Sequence, residues 1–178
     1  IYFIPYNTLY QEGSEITDFN DELKSLMDDM QETVQRFEGV GIAANQIGLA
    51  IRAFIVNSDD CLKPGVEKQH GGKVLQMINP VITARSEELY HPSEACMSLP
   101  SVSADVIRHE WIDCEYFDAS GKKHKIEKAT GLLGQCIQHE YDHINGKVIT
   151  DYLSPLKRDR ANSKVAKFVK HNTVYKDD

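Results

Sequence analysis

The chain has 178 residues, 41% hydrophobic and 26% charged, a balance that predicts one folded domain over residues 1–178 and argues against a disordered or repetitive polypeptide. Its formal net charge of -7 argues against direct nucleic-acid recognition or attachment to an anionic membrane. Four cysteines are too sparse for a disulfide framework, and no stretch approaches the roughly 20 apolar residues that cross a bilayer. We therefore expect a soluble, cytoplasmic protein, with an organellar origin as the alternative.

Periodic apolar residues predict an amphipathic first helix over residues 19–37, with Thr17 or Asn20 as its N-cap. Two glycines break this pattern, and residues 53–56 are then expected to form a short buried strand. The next stretch, residues 58–72, contains a proline and paired glycines, which are typical of an exposed loop.

Several strands are predicted in the middle of the chain. The first two are expected to be interrupted by Asn79-Pro80, because proline cannot donate to a central ladder. Residues 118–121 are expected to form a hairpin turn into a polar return strand. Such short connections predict antiparallel pairing. The expected strands before that turn lie at residues 74–78, 81–83, 102–107 and 111–117.

A second helix is predicted over residues 130–144, ending at the Asn145-Gly146 pair. A strand and a third helix are expected to follow, with Ser154 as the capping residue before Pro155 in the first turn. The order of helix, strands, helix, strand and helix predicts an α+β fold.

The segment from His139 to His143, His-Glu-Tyr-Asp-His, carries the strongest chemical signal in the chain. Histidines four positions apart on a helix lie on one face, one turn apart, and can bind one metal ion. Glu140 lies beside them, where it can take a proton from a metal-bound water rather than bind the metal. Since such a short pattern also arises by chance, the prediction requires a third ligand.

Cys96 is the candidate for that ligand, because its segment is bounded by Pro92 and Pro100 and suits a loop or sheet edge near the helix. One thiolate and two imidazoles would leave one tetrahedral position open. Cys136, one turn before Glu140, is the competing candidate, although its apolar neighbours favour packing. A cysteine that only packs in the core is the alternative interpretation of either residue.

Residues 39–46, Gly-Val-Gly-Ile-Ala-Ala-Asn-Gln, form a third candidate element, because their small side chains let the backbone approach a bulky group closely. The amide of Gln46 and a backbone N–H such as that of Met97 would together form an oxyanion hole. An ordinary glycine turn after the first helix is the alternative interpretation.

Together the three segments resemble the three motifs of the peptide deformylase family, in the same order. Residues 39–46 match the first motif at every fixed position, and residues 138–143 match the third, Gln-His-Glu-x-Asp-His. The second motif, Glu-Gly-Cys-Leu-Ser, is Glu-Ala-Cys-Met-Ser at residues 94–98. Ala95 therefore adds a methyl group beside the site, which is expected to narrow access or to shift the loop.

The resemblance implies antiparallel sheets around a central helix, and hydrolysis of the N-formyl group from formyl-methionyl nascent peptides with release of formate. It implies one divalent ion, Fe²⁺ in the cell, with Zn²⁺, Ni²⁺ or Co²⁺ tolerated in its place. The implied ligands are Cys96, His139 and His143. Glu140 would move the proton, and Gln46 with the Met97 N–H would stabilise the oxyanion.

The resemblance also implies a pocket for the methionine side chain, with His139 at its base. Gln135 stands where the family more often has an apolar residue, so the rim of this pocket is expected to be more polar. The expected substrate-binding residues are Gly39, Val40, Gly41, Glu94, Leu132 and Cys136.

Glu94 and Arg108 are predicted to pair behind the ligands, because a guanidinium often holds a carboxylate next to a ligand loop. A surface ion pair is the alternative. Residues 155–172 contain six lysines and arginines against Asp159 alone, a net charge of +5 (six minus one) with histidine neutral. The resemblance implies a ribosome contact by this helix, whereas a solvated helix face is the simpler explanation.

Two other functions remain open from the sequence. A zinc peptidase with a His-Glu-x-x-His motif is one, although such sites usually take glutamate or histidine as the third ligand. A deformylase-like metal-binding protein is the other, in which Ala95 closes the site and the metal only supports the fold.

Overall fold

In the computed structural model of the protein, residues 1–58 and 74–172 are described. The helices among them are α1 (Asp21–Arg36), α2 (Gly131–Ile144) and α3 (Pro155–His171). The strands are β1 (Gly41–Ala43), β2 (Ala53–Asn57), β3 (Val74–Arg85), β4 (Leu89–Tyr90), β5 (Ser93–Ala95), β6 (Ser103–Asp105), β7 (Arg108–His109), β8 (Trp111–Phe117) and β9 (Lys123–Thr130). The loop predicted for residues 58–72 lies, apart from Ser58, outside the described residues.

The strands form one large and two small sheets within the described part of the chain. The large sheet has the order β1-β2-β3-β8-β9, and β4 pairs with β7 and β5 with β6. Every pairing between these strands is antiparallel. The hairpin between β8 and β9 turns at Asp118, whose carbonyl accepts from the N–H of Gly121, 2.9 Å away. The predicted antiparallel α+β fold is therefore confirmed.

Helix α1 starts where the sequence predicts it, because the Oδ1 atom of Asn20 accepts a hydrogen bond of 2.9 Å from the Leu23 N–H. The acidic residues Asp21 and Glu22 occupy the first turn, where they interact favourably with the positive end of the helix dipole. One face is buried against strands β1, β2 and β3 of the large sheet. The buried residues of that face are Leu23, Met27, Met30 and Val34.

Helix α2 is the central helix, since it contacts β1, β2, β8 and β9 and buries apolar and polar residues alike. Leu133, Ile137 and Ile144 pack into the core of the large sheet. The helix ends as predicted, with Asn145 at the C-cap and Gly146 at a φ of 70°, a conformation that favours glycine. This burial carries the His-Glu-Tyr-Asp-His segment away from bulk water.

The prediction of two strands interrupted at Asn79-Pro80 is wrong, because β3 runs through both residues as one strand. The register against β8 shifts between Ile78 and Val81, so the proline lies in a bulge where no ladder donor is required. Asn79 has a φ of 48°, and its N–H donates to the Arg52 carbonyl, 2.8 Å away.

Two smaller expectations after α2 also fail. The segment Ile149–Tyr152 is a short 3₁₀ helix rather than a strand. Ser154 is the N-cap of α3, but its side chain makes no capping hydrogen bond, so Pro155 alone starts that helix favourably.

The strand expected at residues 102–107 is shorter and spans Ser103–Asp105. Among the described residues, no helix has both the length and the apolar character that crossing a membrane requires.

Replacing Asn79 with alanine should destabilise the fold by about 2 kcal/mol, since two partly buried hydrogen bonds and a residue that tolerates the left-handed conformation are lost together. Its side chain accepts from the Ile16 N–H (2.9 Å) and donates to the Ile16 carbonyl (2.7 Å). Urea unfolding should show a lower midpoint with an unchanged slope. The matched control is Asn162→Ala on the exposed face of α3, and equal midpoints for the two variants would contradict this role.

Candidate metal centre

Helix α2 and the loop after β5 bring together three side chains that could hold a metal ion. His139 and His143 lie one turn apart on α2, and Cys96 follows β5. One ligand atom from each residue lies within 4.8 Å of the others, and all three residues are buried. The Sγ atom of Cys96 is 3.3 Å from the Nε2 atom of His143. The structure thus joins Cys96, and not Cys136, to the two histidines.

His139 is held from behind by a buried carboxylate. Its Nδ1 atom is 2.8 Å from the Oε2 atom of Glu94, which leaves Nε2 as the nitrogen available to a metal. Arg108 donates two hydrogen bonds to Glu94, from Nε to Oε1 (2.8 Å) and from Nη2 to Oε2 (2.9 Å). The Glu94–Arg108 pair therefore lies in the interior rather than at the surface.

The charges around Glu94 determine its protonation. Burial alone raises the pKa of Glu94, but the hydrogen bonds from Arg108 and His139 overcome that effect and lower the pKa to about 2. Arg108 donates a third hydrogen bond of 2.6 Å from Nη1 to Asp142, and its pKa is raised above the ordinary value despite burial. Glu94 is therefore a carboxylate at neutral pH, able to accept from His139.

Glu140 faces the opening beside the three candidate ligands. Its Oε2 atom is buried and has no hydrogen-bond partner among the described residues. Burial raises the pKa of Glu140 to about 7, so the side chain can accept and return a proton near neutral pH. A Cβ atom at Gly41 would lie 2.6 Å from the Oε1 atom of Glu140 and 2.7 Å from the Sγ atom of Cys136. The glycine is required there by a close approach, as its small-residue segment suggested.

Gln46 lies in the 3₁₀ helix Ala44–Ile47, with its side-chain amide fixed at both ends. Its Oε1 atom accepts from the Ala43 N–H at 2.9 Å. Its Nε2 atom lies 3.1 Å from the Ser98 hydroxyl and 3.5 Å from the Cys96 thiol, and donates to both. Within the described ranges, no acceptor is found for the Met97 N–H, the next backbone donor along the loop. Two N–H donors thus lie next to the candidate ligands.

A cavity of about 430 Å³ opens in front of these groups. Its volume lies in the range of pockets that bind small ligands, about 300–1,000 Å³. Every residue expected to bind substrate lines it, whereas Arg108 lies behind Glu94 and outside it. The predicted residues on its wall are Gly39, Val40, Gly41, Gln46, Glu94, Cys96, Met97, Leu132, Cys136, His139 and Glu140.

Ala95 does not close this cavity. The residue is exposed in the short strand β5, where it pairs with Ser103, and it forms part of the cavity wall. It is also absent from the positive-φ residues found in the described part of the chain, so its backbone does not require glycine. The methyl group that distinguishes Ala95 is accommodated at the edge of the opening.

The structure adds residues that the sequence did not single out. Ser98 accepts from Gln46, and Asp142 and Tyr152 form the far side of the Arg108 network, with the Tyr152 hydroxyl 2.8 Å from Asp142. Phe37 and Glu38 line the cavity mouth. Ser98 lies in the second motif and Asp142 in the third. Their positions in these motifs were the only feature of the sequence that could have indicated a role at the site.

The three side chains fit a divalent transition-metal ion. A cysteine thiolate and two imidazoles suit borderline or soft ions, and three protein ligands leave a position for an exchangeable molecule. His139 also has the carboxylate partner that metal-binding histidines usually have on the other ring nitrogen. The chemistry of the three ligand atoms and the hydrogen bond that orients His139 therefore both fit a bound metal ion.

Comparison with known proteins gives consistent results. Residues 1–159 match the family described as Polypeptide deformylase. A peptide deformylase of Wolbachia sp. subsp. Brugia malayi is 40% identical over 169 residues, which cover 94% of this chain and 93% of the relative. The crystal structure of peptide deformylase from Ehrlichia chaffeensis has a TM-score of 0.86 and 35% identity, covering 97% of this chain and 96% of that one. That of a peptide deformylase from Legionella pneumophila has a TM-score of 0.84 and 32% identity, covering 96% and 94%.

Replacing Arg108 with methionine should destabilise the metal-free protein by about 3 kcal/mol at pH 6, because the buried Glu94 loses its guanidinium partner and keeps only the contact with His139. The paired Glu94 has a pKa lowered from 4.5 to about 2, so its stabilisation is complete above about pH 4.5 and is lost as the pH falls towards 2. The difference between wild type and variant should shrink over that interval, as measured by urea unfolding. The exposed Arg85→Met serves as control, and a difference that stays constant with pH would contradict the pairing.

Proposed function

The chain belongs to the peptide deformylase family, enzymes that hydrolyse the N-formyl group from nascent peptides, and we propose that the centre described above performs this reaction on formyl-methionyl chains. One observation carries the assignment of the site. Glu140, whose Oε2 atom has no hydrogen-bond partner among the described residues, lines the same cavity as Cys96 and His139, and His143 completes the candidate ligand set beside them. That combination is what hydrolysis of an amide by an activated water requires.

We assign Cys96, His139 and His143 as the metal ligands. A divalent ion held there would lower the pKa of water at the open position and polarise the formyl carbonyl. Glu94 orients the His139 ring through Nδ1, and Arg108 keeps Glu94 ionised and in place. These residues build the centre without taking part in the bond changes.

Glu140 moves the proton. With its pKa raised to about 7, the carboxylate takes a proton from the attacking water and delivers it to the leaving amine nitrogen. The C–N bond of the formamide breaks, formate leaves, and the peptide keeps a free amino terminus. Because Oε2 has no hydrogen-bond partner among the described residues, that oxygen is available to accept the proton.

The Nε2 amide of Gln46 and the backbone N–H of Met97 stabilise the oxyanion as the formyl carbon becomes tetrahedral. Gln46 is pre-oriented by Ala43 and Ser98, so little reorganisation is needed during the reaction. Methionine at position 97 supplies the same backbone donor as the family's leucine. Its side chain packs against Gly39, where the Sδ atom is 3.2 Å from the position of an added Cβ.

The first side chain of the substrate occupies the cavity between the α1–β1 connection and α2. Gly39, Val40 and Gly41 form one wall, and Leu132 and Cys136 form the other. Glu94 lies in the wall, but both its oxygens are bonded to protein, so we assign it to the support of His139 rather than to direct contact with substrate. Apolar walls favour methionine at this position.

The donor set alone does not select one ion. We propose Fe²⁺ as the ion in the cell, with Zn²⁺, Ni²⁺ or Co²⁺ in purified protein, because the family resemblance implies ferrous iron. The bacterial relatives, together with a substrate made on ribosomes, support a cytoplasmic location.

Helix α3 has five exposed basic side chains, which support a proposed contact with the ribosome. These side chains are Lys157, Arg160, Lys164, Lys167 and Lys170.

The alternatives from the sequence receive less support. A zinc peptidase would be expected to use a carboxylate or a third histidine, whereas a cysteine completes the cluster here. A metal-binding protein closed by Ala95 is disfavoured because the cavity stays open beside that residue.

The decisive experiment is formate release from formyl-Met-Ala-Ser by protein purified without oxygen, with metal content measured on the same sample. Turnover should be lost on chelation and restored by Fe²⁺. Protein that carries one metal ion per chain and releases no formate would refute the assigned function.

Replacing Glu140 with glutamine should reduce kcat at least about a hundredfold while metal content stays the same, since proton transfer is lost and the ligands are untouched. Formate release and metal analysis on one preparation measure both effects. Glu127→Gln, on the exposed side of β9, is the control. Substantial activity in the Glu140 variant would exclude it as the proton carrier.

Replacing Cys96 with serine should weaken zinc binding at least about tenfold, because an alcohol is a poorer ligand than a thiolate for such an ion. Competition with a chromophoric chelator measures the affinity. Cys114→Ala is the control, since Cys114 is buried in β8 and lies outside the cluster. Unchanged affinity in the Cys96 variant would place the third ligand elsewhere.

A further inference from the structure

Gln135 lies on the face of α2 that forms the cavity wall. Leu132, Cys136 and His139 share that face, because residues three, four and seven positions apart align along a helix. All four residues line the same cavity as Glu140. A neutral amide is therefore placed one turn before a proposed metal ligand, beside the space assigned to the first side chain of the substrate.

Several other groups that line this cavity are apolar or already bonded, and the remaining polar side chains on its wall are those of Glu38, Ser93 and Glu140. Val40 and Leu132 are apolar, and the Cys136 thiol donates to the Val40 carbonyl at 3.2 Å. The amide of Gln46 is held by its own partners. Within residues 1–58 and 74–172, no hydrogen bond of the half-buried Gln135 side chain is found. Its amide is thus available to whatever enters the cavity.

A first side chain that fills the cavity displaces water from the Gln135 amide. The thioether of methionine is a weak acceptor, so it leaves the amide N–H poorly satisfied. Leaving a desolvated donor without a partner costs more free energy than the formation of one hydrogen bond contributes. A side chain of the same length that carries an oxygen bonded to the sulfur would instead accept a hydrogen bond from Nε2 of Gln135.

From this arrangement we propose that Gln135 determines specificity for the first side chain and makes N-formyl peptides that begin with methionine sulfoxide substrates alongside those that begin with methionine. Methionine sulfoxide keeps the methionine skeleton and adds a polar oxygen at sulfur. The proposal rests on the proposed deformylase function and adds an oxidised class of substrate to it. The reaction itself is unchanged: water cleaves the formamide, and formate and a free amine are released.

The test compares kcat/KM for formyl-Met-Ala-Ser, its two separate sulfoxide epimers and the norleucine analogue. Gln135→Met preserves side-chain length and removes the strong donor. This variant should lower the ratio of sulfoxide to norleucine roughly five- to tenfold, the contribution of one hydrogen bond. The ratio of methionine to norleucine should stay within about twofold. Because only ratios are compared, differences in metal loading between preparations cancel.

A second variant and a control sharpen the result. Gln135→Glu keeps the size but presents an acceptor in place of the donor, so it should disfavour the sulfoxide at least as strongly. A directed hydrogen bond should also make the wild type prefer one epimer, a preference that both variants lose. Gln35→Met on the exposed face of α1 should change no ratio.

Each outcome separates the inference from the function on which it rests. Wild-type protein that hydrolyses formyl-methionyl peptide but shows the same sulfoxide to norleucine ratio as Gln135→Met overturns the inference alone. A variant that loses activity equally on all peptides also overturns it, because Gln135 would then contact the peptide backbone. Wild type without formate release from any of the peptides overturns the proposed function and the inference together.

Discussion

The buried hydrogen bond between Glu94 and His139 ties the centre of this protein to its scaffold. Helix α2 carries two histidines and a glutamate into a region that excludes water, where ionised groups are costly unless they are paired. Glu94 is ionised there because Arg108 donates two hydrogen bonds to it. Once Glu94 is ionised, it holds Nδ1 of His139 and leaves Nε2 to face Cys96 and His143. The geometry of the centre follows from this one buried chain of charges.

The same burial acts differently on the neighbouring carboxylate. Glu94 has cationic partners, so its pKa falls, whereas Glu140 lacks a partner for Oε2 among the described residues and its pKa rises to about 7. Two glutamates at similar depth thereby differ in protonation, one being an anion and the other able to exchange a proton near neutral pH. Gly41 contributes to this separation, because any larger residue would meet the Glu140 carboxylate and displace it.

The cavity reflects a compromise between apolar contact and polar recognition. We propose that its walls take a methionine side chain and that the N–H groups of Gln46 and Met97, which also line it, donate to the formyl oxygen. Gln135 adds an amide to the α2 side of the wall, which it shares with Leu132 and Cys136. We propose that specificity in this cavity depends on which protein groups the substrate leaves unpaired as well as on the shape of the substrate.

The sequence alone determined the features that depend on neighbouring residues. Apolar spacing located α1 and α2, Asn20 and the Asn145-Gly146 pair marked their ends, and spacing of four placed His139 and His143 on one face. Tertiary structure decided the features that join distant segments. Cys96 rather than Cys136 meets the histidines because β5 is packed beside α2, and Asn79-Pro80 forms a bulge because Arg52 and Ile16 supply its partners. Such contacts link residues 27 to 63 positions apart, and no local preference records them because they form only when the chain is packed.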